Sequence, residues 1–81
     1  MRRLQNKIAI VTGAARGQGA AQAQRLVEDG ACVMLTDVLD EPGMQVAQAL
    51  GERAAYRHLD VRDAAQWAAV VEQTERAFGT P

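Results

Sequence analysis

Residues Lys7 to Gly19 read KIAIVTGAARGQG, a short β-branched apolar run that breaks at a glycine and resumes as an Ala- and Gln-rich segment. The spacing predicts a buried strand over Lys7–Thr12 and a helix over Gly17–Asp29 that stops at Gly30. The glycines of the turn, Gly13, Gly17 and Gly19, follow G-x-x-x-G-x-G and not G-x-G-x-x-G. Glycine there permits left-handed backbone and lets a pyrophosphate approach without a Cβ in the way. The helix behind presents free N–H groups and about half a positive charge to that phosphate. No Lys follows the final glycine, so the turn is not a P-loop. Three glycines alone also suit a merely flexible turn. The strand before them, the helix after them and an acid after the next strand favour dinucleotide binding.

Working outward, Ala31–Asp37 (ACVMLTD) is a second apolar run of strand length. Asp40 reads as the N-cap of a second helix, with Pro42 in its first turn and Gly51 beyond its end. Ala54–Asp60 (AAYRHLD) is a weaker third strand, and Asp63 with Gln66 fits a capping box. Trp67, Val70, Val71, Thr74 and Phe78 then recur at three- and four-residue steps, the apolar face of a third helix closed by Gly79. The order β-α-β-α-β-α implies an α/β fold with a parallel three-stranded sheet and right-handed crossovers. It is one half of a doubly wound (Rossmann) fold, so residues 1–81 are expected to form an incomplete portion of a single domain.

The 81 residues are too few for two domains, which each run to roughly 100–200 residues. Nine Lys and Arg against ten Asp and Glu leave a net charge of −1, no electrostatic footprint for nucleic acid or anionic lipid. The basic start Met1-Arg2-Arg3 leads only to Ile8–Val11, too short for a signal peptide or a membrane span. A single cysteine, Cys32, excludes an internal disulfide and suits a reducing cytoplasm; in an apolar strand it reads as an inert small hydrophobe. The chain has no serine, and Lys7 is its only lysine, so a serine nucleophile is excluded. One His and one Cys exclude a His/Cys zinc site.

Asp37 ends the second strand 18 residues after Gly19. A carboxylate there can accept two hydrogen bonds from adenosine ribose hydroxyls and would repel a 2′-phosphate, which selects NAD over NADP. Asp also commonly begins turns, the plainer role for this residue. Arg16 beside the loop suits a 2′-phosphate, but Val38 supplies no second basic partner, so NAD is the expected cofactor.

TGAARGQG on the first βα turn, followed by GACVMLTD and HLDV, resembles the short-chain dehydrogenase/reductase family over essentially all 81 residues. The resemblance implies that Thr12, Gly13, Gly17 and Gly19 form the phosphate loop and that Ala14, Ala15, Arg16, Gly17 and Gln18 line the pyrophosphate. It implies further that Asp37 holds the ribose, and that Asp60 and Val61 hold the adenine. Without the resemblance, Asp60 equally suits a turn before the third helix; its place at a strand's carboxyl end favours adenine. The reaction implied for a complete relative is hydride transfer between NAD and a secondary alcohol or ketone. The family's Asn-Asn-Ala-Gly motif, catalytic Ser and Tyr-x-x-x-Lys pair would follow Pro81. Tyr56, the only tyrosine, has Asp60 four residues later in place of Lys. The chain alone is therefore expected to hold no catalytic residue and to show no alcohol turnover. DVLDEPG and RAAYRHLDV resemble bacterial hydroxysteroid dehydrogenases in particular, and complete relatives are commonly dimers or tetramers.

Other residues point elsewhere. His58 and Asp60 share a strand face, but with no nucleophile or metal partner the pair indicates no catalysis. Trp67 and Phe78 are expected in the core, and Arg53, Arg57 and Arg62 on a solvated surface. Two further functions fit the pattern: a module that binds a dinucleotide without chemistry, and a partner that pairs the open edge of its first strand, Ile8–Val11, with another chain.

Overall fold

A computed structural model describes residues 5–79. The basic start Met1-Arg2-Arg3 lies outside the described residues, as do Leu4, Thr80 and Pro81. Three strands alternate with three helices: β1 (Ile8–Val11), α1 (Gly17–Glu28), β2 (Cys32–Asp37), α2 (Asp40–Leu50), β3 (Ala54–His58) and α3 (Ala64–Phe78). The strands are parallel in the order β1-β2-β3, with Val11 level with Leu35 and Leu35 level with Tyr56. The expected half of a doubly wound fold is thus present.

β2 is the central strand, and its alternation decides the layers. Val33 and Leu35 point to the face covered by α1 and α2, where they meet Ala23, Val27, Ala47 and Tyr56. Met34 points to the other face and packs with Leu59 and Val70, with Ile10, Ala55, Trp67 and Phe78 around them. Covered on both sides, β2 reads as a continuous apolar run and not an alternating one. Trp67 and Phe78 are half-buried at the margin of that second cluster, Val70 is its buried member on α3, and Thr74 on the same helix is buried as well. The Trp67 indole N–H donates to the Val61 carbonyl at 3.2 Å. Among the described residues no helix is long and apolar enough to cross a membrane.

Several boundaries differ from the sequence expectation: β1 is one residue shorter at each end, α1 stops at Glu28 and β2 begins at Cys32. Asp40 is the first residue of α2 and not its N-cap; Leu39 holds the cap position, and no side chain caps this helix. The N–H groups of Val38 and Leu39 are instead taken by Asp37 Oδ1, at 2.7 and 3.1 Å. β3 ends at His58 and not at Asp60, because β2 has already turned away after Asp37. Leu59 N–H still reaches the Asp37 carbonyl at 3.0 Å, but Asp60 N–H has no strand acceptor and donates to Gln66 Oε1 at 2.7 Å. That contact also alters the capping box of α3. Asp63 caps as expected, accepting from Ala65 and Gln66 N–H at 3.0 and 3.2 Å, while the Gln66 side chain reaches past it to Asp60.

Candidate functional site

The turn from β1 into α1 lies at the carboxyl end of the sheet, sewn to the end of β2. Ala14 N–H donates to the Thr36 carbonyl at 3.0 Å, and the buried Thr36 hydroxyl donates to the Val11 carbonyl at 2.9 Å. Ala15 N–H donates to Asp37 Oδ2 at 3.0 Å. Ala14 and Ala15 are themselves buried, so they shape the loop from beneath; Thr12, Gly13, Arg16, Gly17 and Gln18 form its exposed side.

The three glycines are required for two different reasons. Gly13 and Gly17 adopt φ of +63° and +64°, left-handed backbone that disfavours a side chain, although a Cβ at either would meet open space. Gly19 is needed for close approach: a Cβ there would lie 2.0 Å from the Gly13 carbonyl oxygen. The first turn of α1 therefore rests directly on the loop backbone. Arg16 occupies the N-cap in extended conformation and makes no side-chain cap, and the first turn carries no acid. The leading N–H groups of α1 have no intrahelical acceptor. An uncapped, acid-free helix start behind a bare glycine loop is suited to an anionic group such as a diphosphate.

Asp37 stands at the rim of this loop. Burial pushes its carboxyl up, but the N–H donors of Ala15, Leu39 and Val38, with the nearby Arg16 charge, outweigh that and hold it below its ordinary value of 3.8. Both of the sequence roles for this residue meet here. Oδ1 begins the turn into α2 through two N–H groups, and Oδ2 faces the glycine loop through one. A carboxylate offers about four lone-pair sites, so one, on Oδ2, remains for a ligand hydroxyl without breaking a bond already made. The expected pair of ribose bonds would require one N–H contact to be released.

Asp60 lies at the same end of the sheet, beyond β3, but no hydrogen bond joins it to Asp37 or to the loop. Arg62 grips it from both sides, Nε to Oδ1 at 3.1 Å and Nη2 to Oδ2 at 2.9 Å, with Arg62 N–H adding a third bond at 3.0 Å. Those contacts hold the Asp60 carboxyl down at about 2. Val61 beside it is 55% exposed, an uncovered apolar side chain. Of the arginines expected on a solvated surface, Arg57 and Arg62 are exposed, Arg62 while paired with Asp60, whereas Arg53 is half-buried and donates to the Val27 carbonyl in the last turn of α1 at 3.1 Å.

The sequence reading did not anticipate a second cluster behind Asp37. The Tyr56 hydroxyl lies 2.7 Å from the Asp37 carbonyl oxygen and 2.7 Å from Asp40 Oδ1, which also meets His58 Nδ1 at 2.7 Å. Gly43 makes room for it, since a Cβ there would stand 2.2 Å from Tyr56 Cε1. A glycine in a helix interior, costing about 1 kcal/mol against alanine, was the one available signal of such a contact. Among the described residues no three His, Cys, Asp or Glu gather as metal ligands would.

Parallel strands with helices on both faces, a glycine-bearing first βα turn and an acid closing the second strand define an α/β protein of the Rossmann type. Comparison with known proteins makes this specific. The short chain dehydrogenase family model matches residues 7–80, and the chain belongs to that family. It is 48% identical over 77 residues to the 3-alpha-(or 20-beta)-hydroxysteroid dehydrogenase of Mycobacterium tuberculosis, covering 95% of this chain and 30% of that protein. The 3-beta-hydroxysteroid dehydrogenase of Comamonas testosteroni is 40% identical over 78 residues, covering 96% of this chain and 31% of the relative. Among solved structures, the 3-ketoacyl-(acyl-carrier-protein) reductase from Brucella melitensis complexed with NADH superposes with a TM-score of 0.90 at 33% identity, over 94% of this chain and 31% of that one. The chain thus spans about 30% of the length of the curated relatives it matches.

Proposed function

We propose that this chain is the NAD-binding portion of a short-chain dehydrogenase that interconverts an alcohol and a ketone. The observation that carries the reading is the bond from Ala15 N–H to Asp37 Oδ2, which sets an ionised carboxylate against the rim of an uncapped, glycine-lined helix start. Arg16, Gly17, Gln18 and Gly19 would offer their N–H groups to the diphosphate, with Thr12 and Gly13 on the open side. The free lone pair of Asp37 Oδ2 would accept a ribose hydroxyl, and its negative charge would oppose a 2′-phosphate. Arg16 softens that opposition without removing it, being a single exposed cation. Asp60 and Val61 would flank the adenine, Val61 through its uncovered side chain and Asp60 through a carboxylate that Arg62 already orients. When bound, the dinucleotide supplies the hydride acceptor or donor. The names of the mycobacterial and Comamonas relatives support a hydroxysteroid as the substrate class.

A second reading, a binding module without chemistry or an edge-pairing partner, draws on β1, which is an edge of the described sheet. Titration of the 81-residue chain with NAD and NADP, followed by dinucleotide fluorescence or calorimetry, separates these readings. Asp37→Ala is expected to weaken NAD about tenfold, the scale of one charge-assisted hydrogen bond, and NADP much less. Equal losses for both dinucleotides would remove Asp37 from ribose recognition, and a folded chain that binds neither overturns the proposal.

A further inference from the structure

Tyr56 is 9% exposed, its ring is clamped against Gly43 of α2, and its hydroxyl has two acceptors but one proton. One acceptor is the main-chain oxygen of Asp37. That oxygen also receives Leu59 N–H, so a hydroxyl proton directed at it completes both of its lone pairs from β3 and its extension. The other acceptor is Asp40 Oδ1, a carboxylate oxygen that also meets His58 Nδ1 at 2.7 Å. Asp40 is the first residue of α2, and Tyr56 and His58 lie two apart on β3. The hydroxyl thus ties three things at one point: the end of β2, the start of α2 and the adjacent strand. The Asp37 carboxylate hangs from the same residue whose carbonyl Tyr56 holds, and it is this carboxylate that bonds Ala15 of the glycine loop. Burial, reinforced by the Asp40 charge, pushes the Tyr56 hydroxyl pKa far up, so it remains a donor throughout the physiological range.

We propose that Tyr56 is a positioning residue for dinucleotide selectivity, holding the Asp37 main chain so that its carboxylate faces the ribose side of the glycine loop. The inference rests on the reading of Asp37 as the ribose-binding carboxylate. Tyr56→Phe keeps the ring against Gly43 and removes only the hydroxyl; Gly43→Ala keeps the hydroxyl and displaces the ring. NAD and NADP are titrated into the full chain, its two variants, Asp37→Ala, and the Asp37→Ala/Tyr56→Phe double variant. Circular dichroism verifies that each is folded. Tyr56→Phe is expected to weaken NAD by about three- to tenfold, the range of one net hydrogen bond, and to change NADP little. Gly43→Ala should lose NAD in the same selective way. On the Asp37→Ala background, Tyr56→Phe should alter NAD affinity by less than about twofold, because the carboxylate it positions is gone. Equal weakening of both dinucleotides, or the same loss with and without Asp37, is what a purely structural tyrosine would give and overturns the proposal. Selectivity lost in Asp37→Ala but intact in both Tyr56→Phe and Gly43→Ala overturns this inference alone. An unaltered chain that binds no NAD overturns the underlying reading and this inference with it.

Discussion

Replacing Gly19 with alanine adds one methyl group where α1 rests on the glycine loop. Built on the present backbone, that methyl lies 2.0 Å from the Gly13 carbonyl oxygen, 2.6 Å from its carbon and 3.1 Å from Ala14 Cα. Comfortable contact needs about 3.5 Å, so the helix start must retreat by more than about 1 Å. All three obstructing atoms are backbone, which leaves no side chain to swing aside. The retreat pulls on the two bonds that hold the loop to β2, Ala14 N–H to Thr36 and Ala15 N–H to Asp37, both now 3.0 Å. Overpacking costs about 1–3 kcal/mol, and each strained bond adds about 0.5–1.5 kcal/mol. Alanine's helical preference over glycine returns about 0.5–1 kcal/mol. The net loss is about 1–5 kcal/mol, centred near 3, and at about 4–8 °C per kcal/mol for a chain this small the central value lowers the melting temperature by roughly 12–24 °C. Thermal unfolding followed by far-UV circular dichroism measures it, with a dinucleotide titration of the still-folded variant below its transition. Gly13→Ala is the control: it meets no atom and costs only the left-handed backbone, about 1–2 kcal/mol. A Gly19→Ala chain that melts within a few degrees of the parent and binds NAD equally well would refute the close-approach argument.

Acid should destabilise the fold in a defined window. The carboxyls of Asp37, Asp40 and Asp60 all lie below the ordinary 3.8, Asp60 at about 2, so each binds its proton more weakly folded than unfolded. Their contribution is complete above 3.8 and is lost as pH falls through the folded values, so the urea midpoint should drop between about pH 4 and pH 2. A midpoint flat across that range contradicts the assignment, and Asp60→Asn should make the drop smaller. Asp63→Ala removes the acceptor for the first N–H groups of α3, costing about 1 kcal/mol and lowering the melting temperature by about 4–8 °C. Dinucleotide affinity should be unchanged in that variant, and an unaltered melting temperature would show that the cap contributes nothing.

The element order was legible because each signal is local. A β-branched run ending at glycine, an Ala-rich segment stopped by Gly30 and an Asp three residues before Gln each act within a single turn or strand. Asp63 illustrates the success, since an N-cap bonds only to the two or three residues after it. Asp40 illustrates the limit. It too reads as an N-cap, with Pro42 in the turn after it, yet Asp37 takes the N–H groups just before α2, and Tyr56 and His58 on the neighbouring strand take the Asp40 carboxylate. The arginines show it again: Arg53 looks like any surface cation until the fold brings the Val27 carbonyl within 3.1 Å.

From its residues alone, the chain determines a parallel β-α-β-α-β-α order, a glycine turn suited to a phosphate and an acid poised after the second strand. Spacing and composition suffice for these, because backbone freedom, helix starts and strand runs depend on neighbours along the chain. Only the tertiary structure decides why Gly19 cannot carry a side chain, how many lone pairs Asp37 has left, and that Gly43 and Tyr56 stand behind it. Those facts arise where segments distant in sequence are brought within van der Waals or hydrogen-bond range, and no local preference encodes such a distance.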